Sequence, residues 1–322
     1  MKLVRKLFYF FLLPLLLLAA AITIYLFHWD LFNPLHSGKL KIDNLGRNFY
    51  YHVPKDLSPN PKLIFVLHGS RIGPKIMQFI TGHGFDKLAD ENKNTIIVYP
   101  QGYKGYWNDC KKADNRETKI KKLNDVEFFT QMIAFFSKEY KIDTSNVFAA
   151  GHSNGAQMCF KLAKEKPGLF KGFAAISASL PVEANDDCTE SNQPVSILFM
   201  NGTTDPINPY NGGEINLPGG ESRGAVLSTE QTLRYWFKLA DCDSASKAES
   251  AYPDLDKTDN STAIKYDYKS KTTGKEIVLI KIINGGHVIP NPGFRQFPGK
   301  FGNLNKDINA PEIIFNYFMN LK

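Results

Sequence analysis

Gly151-His152-Ser153-Asn154-Gly155 sets a serine between two glycines, each two positions away. A serine hydroxyl attacks a carbonyl carbon only when a base takes its proton, so the pentapeptide needs a histidine and a carboxylate from elsewhere. Its surroundings suit a nucleophile. The apolar run 146–150 leads in as a strand, and helical spacing leads out from Gly155. At a sharp strand-to-helix turn the glycines relieve crowding, and the serine stands above the sheet near the positive end of the helix.

Seven histidines are available as the base: His28, His36, His52, His68, His83, His152 and His287. The first two belong to the N-terminal segment, His52 to an early strand, and His83 to a loop between helices. His68 precedes a candidate oxyanion loop, and His152 lies inside the serine turn. His287 remains. It follows the last predicted strand in Asn284-Gly285-Gly286-His287, where glycines allow a tight turn over the sheet edge. The carboxylate should lie between Ser153 and His287 and also follow a strand, which selects Asp205 in Asn201-Gly202-Thr203-Thr204-Asp205-Pro206. It would orient the imidazole and stabilise its charged form. The backbone N–H groups of Asn154 and Ser70 are the expected donors to the tetrahedral oxyanion.

These residues need a scaffold. Strands are predicted over 39–42, 48–53, 63–67, 95–99, 146–150, 172–177, 195–200 and 277–283. Helices are predicted over 125–140, 155–165, 227–239 and 310–321. In 125–140 the apolar face is Phe128, Phe129, Met132, Ile133 and Phe136. Short apolar strands alternating with helices imply an α/β fold, a mainly parallel sheet covered on both faces. Ligands of such sheets bind at the carboxyl ends of the strands, which is where all the singled-out residues fall.

The first 30 residues read separately. Lys2, Arg5 and Lys6 precede an apolar run over 7–27 that would span about 31 Å as a helix, enough for a bilayer core. It is either an uncleaved anchor or a signal peptide ending near Ala19-Ala20-Ala21, and in both cases the remainder is extracytoplasmic. A linker is expected over 31–37 and one catalytic domain over 38–322. Of the net charge of +7, the N-terminal segment accounts for two. The remaining +5 is spread through Lys-rich loops, without the clustered pattern of a nucleic-acid binder. Four cysteines in an oxidising compartment allow three full pairings. Cys188 with Cys242 is the expected pair, with Cys159 a buried thiol. No Cys/His spacing fits a metal, and no cofactor is expected.

Taken in order, several short motifs resemble the polyhydroxybutyrate depolymerase and feruloyl esterase-like group of α/β-hydrolases, which includes acetyl xylan esterases. They are Leu67-His68-Gly69, Tyr99-Pro100-Gln101-Gly102, Trp107-Asn108 with Cys110, Asp125-Val126, the serine pentapeptide, Gly202 to Pro206 with Pro209-Tyr210, and Gly285-Gly286-His287. The resemblance implies a serine esterase with the same triad, acting on short acyl, feruloyl, acetyl or hydroxyalkanoate esters. The substrate would be a small-molecule or oligomeric ester, since no polymer-binding module is recognisable. An acyltransferase or peptidase on the same fold, or a silent binding protein, are the competing readings. Two departures stand out: Val288-Ile289-Pro290-Asn291 replaces the usual Trp-Pro-Gly after the histidine, and Ser70 stands where Cys is common. Trp107, Tyr103 and Tyr210 either stack on an aromatic or sugar group or pack the loops.

Overall fold

The computed structural model describes residues 12, 13, 15, 34–217, 222–243, 245, 247–293 and 300–322. The chain divides into two compact units, residues 1–36 and 37–322, and the second carries the sheet. The anchor or signal segment expected over 1–30 lies outside the described residues apart from Leu12, Leu13 and Leu15. Among the described residues no helix is long and apolar enough to cross a membrane. The linker expected over 31–37 ends early, because β1 (His36–Ile42) already begins at His36.

Six strands form a parallel centre in the order β4 (Thr95–Pro100), β3 (Lys62–Leu67), β5 (Val147–His152), β6 (Gly172–Ile176), β7 (Ser196–Gly202) and β12 (Glu276–Ile283). β3, β4 and β6 are buried throughout or nearly so, which is why they read as continuous apolar runs. One edge is completed by β2 (Leu45–His52), antiparallel to β4, and then β1. At the other edge, β11 (Thr262–Lys269) and β10 (Ala248–Ala251) extend the sheet antiparallel to β12. The apolar spacing predicts no strand there, the last predicted strand being 277–283. β10 is exposed along its length and β11 has a mixed pattern, so neither carries the apolar signal of a central strand. A separate hairpin, β8 (Gly213–Asn216) with β9 (Ser222–Val226), stands outside the main sheet.

Side chains alternate across the sheet, and helices cover both faces. On one face Phe65 meets Phe129 of α4 (Asp125–Tyr140) at 5.2 Å between ring centroids. On the other, Phe148 stacks on Phe318 of α7 (Ala310–Asn320) at 4.8 Å. α4 buries Phe128, Phe129, Met132, Ile133 and Phe136, the face expected from its spacing. Each such side chain removed from water stabilises the fold by about 1.5–3 kcal/mol. Among the described residues the remaining α-helices are α1 (Pro74–Ile80), α2 (Gly84–Asn92), the short α3 (Glu117–Ile120), α5 (Asn154–Glu165) and α6 (Thr229–Ala240). α6 starts on a capping box in which Ser228 and Gln231 satisfy each other's backbone amides.

The cysteine pairing differs from the expected one. Cys188 bonds Cys110, 78 residues away, and Cys242 is a free thiol, as is the buried Cys159. Loop proximity in three dimensions decides this: Asp187 donates its amide to the Cys110 carbonyl at 3.0 Å, so the two segments already lie side by side. Closing a loop of that length restricts the unfolded chain, and losing such a bond typically costs about 2–5 kcal/mol. Cys110→Ser should therefore lower the urea midpoint markedly while Cys242→Ser leaves it unchanged. Equal midpoints for Cys110→Ser and the parent would contradict the pairing.

Candidate active site

β5 ends at His152, and α5 begins one residue after Ser153. Ser153 itself has φ 56° and ψ −118°, a conformation costly for any residue with a Cβ. Its neighbours pass too close for side chains. A Cβ on Gly151 would lie 2.3 Å from the Gly155 backbone, and one on Gly155 would lie 2.4 Å from the Leu67 carbonyl oxygen. The two glycines are therefore required by close approach of β5, α5 and the end of β3. The turn is tied to the sheet by the Ser153 amide, which donates to the Ile176 carbonyl at 2.9 Å.

His287 Nε2 lies 2.9 Å from Ser153 Oγ, and His287 Nδ1 lies 2.8 Å from Asp205 Oδ2. The other Asp205 oxygen accepts the amides of Ile207 and Asn208, both at 2.8 Å. The loop after β7 is laced to the loop after β12: Thr203 donates to Ile282 and Thr204 to Gly285. A Cβ on Gly202 would meet the Gly285 carbonyl oxygen at 2.2 Å, so these loops share one narrow space. The His287 amide donates to the Phe301 carbonyl, which holds the histidine turn from the far side. Three side chains distant in sequence thus meet in the hydrogen-bonded order that proton transfer from the serine requires.

The segment from Gly102 to Leu123 supports the serine turn. The Trp107 amide donates to Asn154 Oδ1 at 2.9 Å, and Asn154 Nδ2 donates to Asp109 Oδ2 at 2.6 Å. Asp109 is fully buried, and Lys111 Nζ meets the same carboxylate at 2.5 Å. Burial alone would raise the Asp109 carboxyl, but the charges of Lys111 and Arg116 prevail and hold it below its ordinary value. Asn108 donates its amide to Asp125, which also pairs with Arg47 at 2.6 Å.

His68 accepts the Gly102 amide on Nε2 and directs Nδ1 to the Gly69 carbonyl at 2.7 Å. Those two contacts fix its neutral tautomer. Burial, only partly opposed by that carbonyl and reinforced by Arg47, lowers His68 to about 4. Burial, with the nearby His287, lowers His152 to about 3. Neither adds a positive charge beside Ser153 at neutral pH.

Ser153, His152 and His287 open onto a cleft of about 650 Å³ walled mainly by apolar groups, among them Ile72, Ile80, Tyr106, Val288, Ile289 and Phe301. Ser70 lies at its edge beside Gly69, and its Oγ accepts from Arg116 at 2.9 Å. Of the two roles open to Trp107, Tyr103 and Tyr210, loop packing is the one that Trp107 and Tyr210 have here. Trp107 is fully buried, tilted against His68 at 5.0 Å between ring centroids and donating Nε1 to the His68 carbonyl. Tyr210 is buried, with Lys281 5.1 Å above its ring. Tyr103 does not line the cleft; Tyr106, paired with it across a tight turn, does. Spacing within a loop cannot say which of two tyrosines three apart faces inward. Of the residues missed, Val288 and Ile289 had a signal, as the departure after His287. Among the described residues, one group of metal-capable side chains comes together, Cys110, Asp186 and Cys188, and two of its three ligand atoms are consumed by the disulfide.

The chain has the α/β-hydrolase fold, and the proteins it resembles are named as esterases. A model of the prolyl oligopeptidase family matches residues 82–213, a stretch that holds Ser153 and Asp205 but stops before His287. A Nocardia uniformis subsp. tsuyamanensis protein named as an esterase, NocK, is 23% identical over 80% of this chain and 74% of its own length. The bifunctional acetylxylan esterase/xylanase XynS20E of Neocallimastix patriciarum is 25% identical over 75% of this chain. Feruloyl esterase D of Neurospora crassa is 27% identical over 52%. The chain spans 31% and 56% of the lengths of these last two. The solved acetyl xylan esterase from Aspergillus awamori superposes with a TM-score of 0.54 at 15% identity, covering 80% of this chain and 95% of that one.

Two buried neutral histidines make stability depend on pH. Unfolded, each takes a proton near 6.5; folded, neither does until about 4 or 3. The unfolded chain then binds more protons in that window, so stability falls as pH drops from about 6.5. Asp86, raised to about 6 chiefly by burial, acts in the opposite sense and offsets part of the loss. Urea unfolding should show a net loss of roughly 3 kcal/mol between pH 7 and pH 4.5. A midpoint that stays level over this range would mean that the histidines titrate normally.

Proposed function

We propose that this protein hydrolyses carboxylic esters through an acyl-enzyme on Ser153, with His287 as general base and acid and Asp205 orienting it. The observation that carries the reading is the continuous chain from Ser153 Oγ through the His287 ring to Asp205, at 2.9 and 2.8 Å. Ser153 Oγ attacks the carbonyl carbon while His287 Nε2 takes its proton. The oxyanion is held by the amides of Asn154 and Ser70. His287 returns the proton to the departing alcohol oxygen, and water repeats the sequence to release the acid.

The apolar cleft supports an ester with one bulky apolar or aromatic part, in keeping with the feruloyl and acetylxylan esterases among the relatives. Tyr106, rather than Tyr103, Trp107 or Tyr210, is the aromatic side chain that would stack on it. An extracytoplasmic location is supported by the Cys110–Cys188 disulfide, which persists where thiols are oxidised. The match to the prolyl oligopeptidase family favours one second reading, cleavage of an amide instead of an ester.

The test is hydrolysis of 4-nitrophenyl esters from acetate to octanoate, methyl ferulate, and a peptidyl 4-nitroanilide. Turnover of esters but not the anilide is expected, with Ser153→Ala reducing kcat by on the order of 10⁴ or more. Asp205→Asn should lower kcat by about 10⁴ with little change in KM, as loss of the tautomer-orienting carboxylate does elsewhere. Undiminished ester turnover by Ser153→Ala would sink the proposal, and faster anilide cleavage would favour the second reading.

A further inference from the structure

Ser153 and His287 also border a second, much smaller chamber of about 30 Å³. Ser70 and Asn154, whose amides are the proposed oxyanion donors, line it together with Gln157, Ser177 and three cationic side chains, Lys111, Arg116 and Arg223. Among the described residues no carboxylate lines it. Among the described residues, Gln157 Oε1 and Ser177 Oγ are buried here without a hydrogen-bond partner. Both residues are almost wholly buried, at 3% and 2% exposure.

Each is tied to the nucleophile by the backbone. Gln157 lies one helical turn beyond Ser153, its amide donating to the Ser153 carbonyl at 3.0 Å. Its side-chain Nε2 donates to the Ser179 carbonyl at 2.8 Å, which sets the amide so that Oε1 is left as an acceptor. Ser177 directly follows Ile176, whose carbonyl accepts the Ser153 amide, and it is held at φ 54°, in the left-handed region. A strained backbone with an unsatisfied buried hydroxyl, beside the catalytic serine, is a costly arrangement unless a ligand uses it.

The chemistry of that ligand follows by elimination. A carboxylate would face the Gln157 oxygen, and two of the cations are already committed, Lys111 to Asp109 and Arg116 to Asp114. An ammonium would face the three cations. An alkyl group would leave both polar atoms unsatisfied. A neutral hydroxyl donates to Gln157 Oε1 and accepts from Ser177 Oγ. The volume holds about two water-sized groups, hence about two non-hydrogen atoms beyond a carbonyl carbon. The leaving alcohol must depart before water attacks, and the 650 Å³ cleft is the wider way out, so the 30 Å³ chamber keeps the acyl part.

Resting on the esterase reading above, we propose that this chamber is an acyl subsite for 2-hydroxy acids. Gln157 and Ser177 bind the hydroxyl of a glycolyl-sized acyl group while Ser153 attacks its carbonyl.

Benzyl glycolate and benzyl propionate have acyl groups of equal heavy-atom count and differ by a hydroxyl in place of a methyl. With each kcat/KM divided by the ester's rate of hydroxide hydrolysis, the glycolate should be preferred about tenfold or more. Gln157→Leu and Ser177→Ala should each bring that ratio towards one. Parity in the unaltered enzyme, or variants that slow both esters in proportion, would overturn the proposal. So would a preference for 2-hydroxyethyl over propyl phenylacetate without one for glycolate, since the alcohol would then occupy the chamber. Fluorophosphonate labelling separates the two levels. Ester turnover and labelling with no glycolate preference defeat the subsite alone, whereas absence of both defeats the esterase reading and the subsite with it.

Discussion

The tight turn at Ser153 is the constraint on which the rest of the structure depends. Holding a serine at φ 56° is unfavourable, and three neighbouring segments make it possible by crowding against backbone that carries no side chain. β3, β5 and α5 meet at Gly151 and Gly155 with no room for a methyl group. In return the hydroxyl stands free of the sheet at the start of a helix, where backbone amides point outward and negative charge is favoured. The strain is local, and the buried parallel sheet around it supplies the stability that maintains it.

A second layer converts this turn into a site. Asn154 follows Ser153, and its side chain is gripped by the Trp107 backbone and the Asp109 carboxylate. Asp109 is in turn held by Lys111, and its neighbour Cys110 by the bond to Cys188. The loop from Gly102 to Leu123 is therefore a brace against the serine turn, hung on His68 at one end and Asp125 at the other. Trp107 and Asn108 contribute to the brace and not to a binding surface. The buried Asp109–Lys111 pair costs desolvation, which its hydrogen bonds to Asn154 and the loop offset.

Two chambers of unlike size meet at Ser153 and His287, one broad and apolar, the other small and lined by both aliphatic and polar groups, with three cations at its border. An ester has two unlike halves, so a site with two unlike walls can choose which half is retained and which leaves. The histidines around it, His68 and His152, are kept neutral by burial, and neither places a fixed charge next to the serine.

Much of this was legible in the residues themselves. Ser153, Asp205 and His287 were separable from other candidates because each follows an apolar run and because glycines surround them, and the structure brings the three side chains into one hydrogen-bonded chain. The central strands and α4 were legible for a similar reason: burial on both faces, or on one stripe, leaves a periodic apolar record. The antiparallel strands β10 and β11 left little record, since an exposed edge tolerates almost any residue. The disulfide partner of Cys188, the choice of Tyr106 over Tyr103, and the convergence of Gln157 with Ser177 left none. Those depend on which loops cross in space, and loop crossings are set by hydrogen bonds and packing between segments far apart in the chain. Sequence alone determined the fold class and the kinds of group that meet at Ser153; the tertiary structure alone decided which side chains wall the cleft beside it.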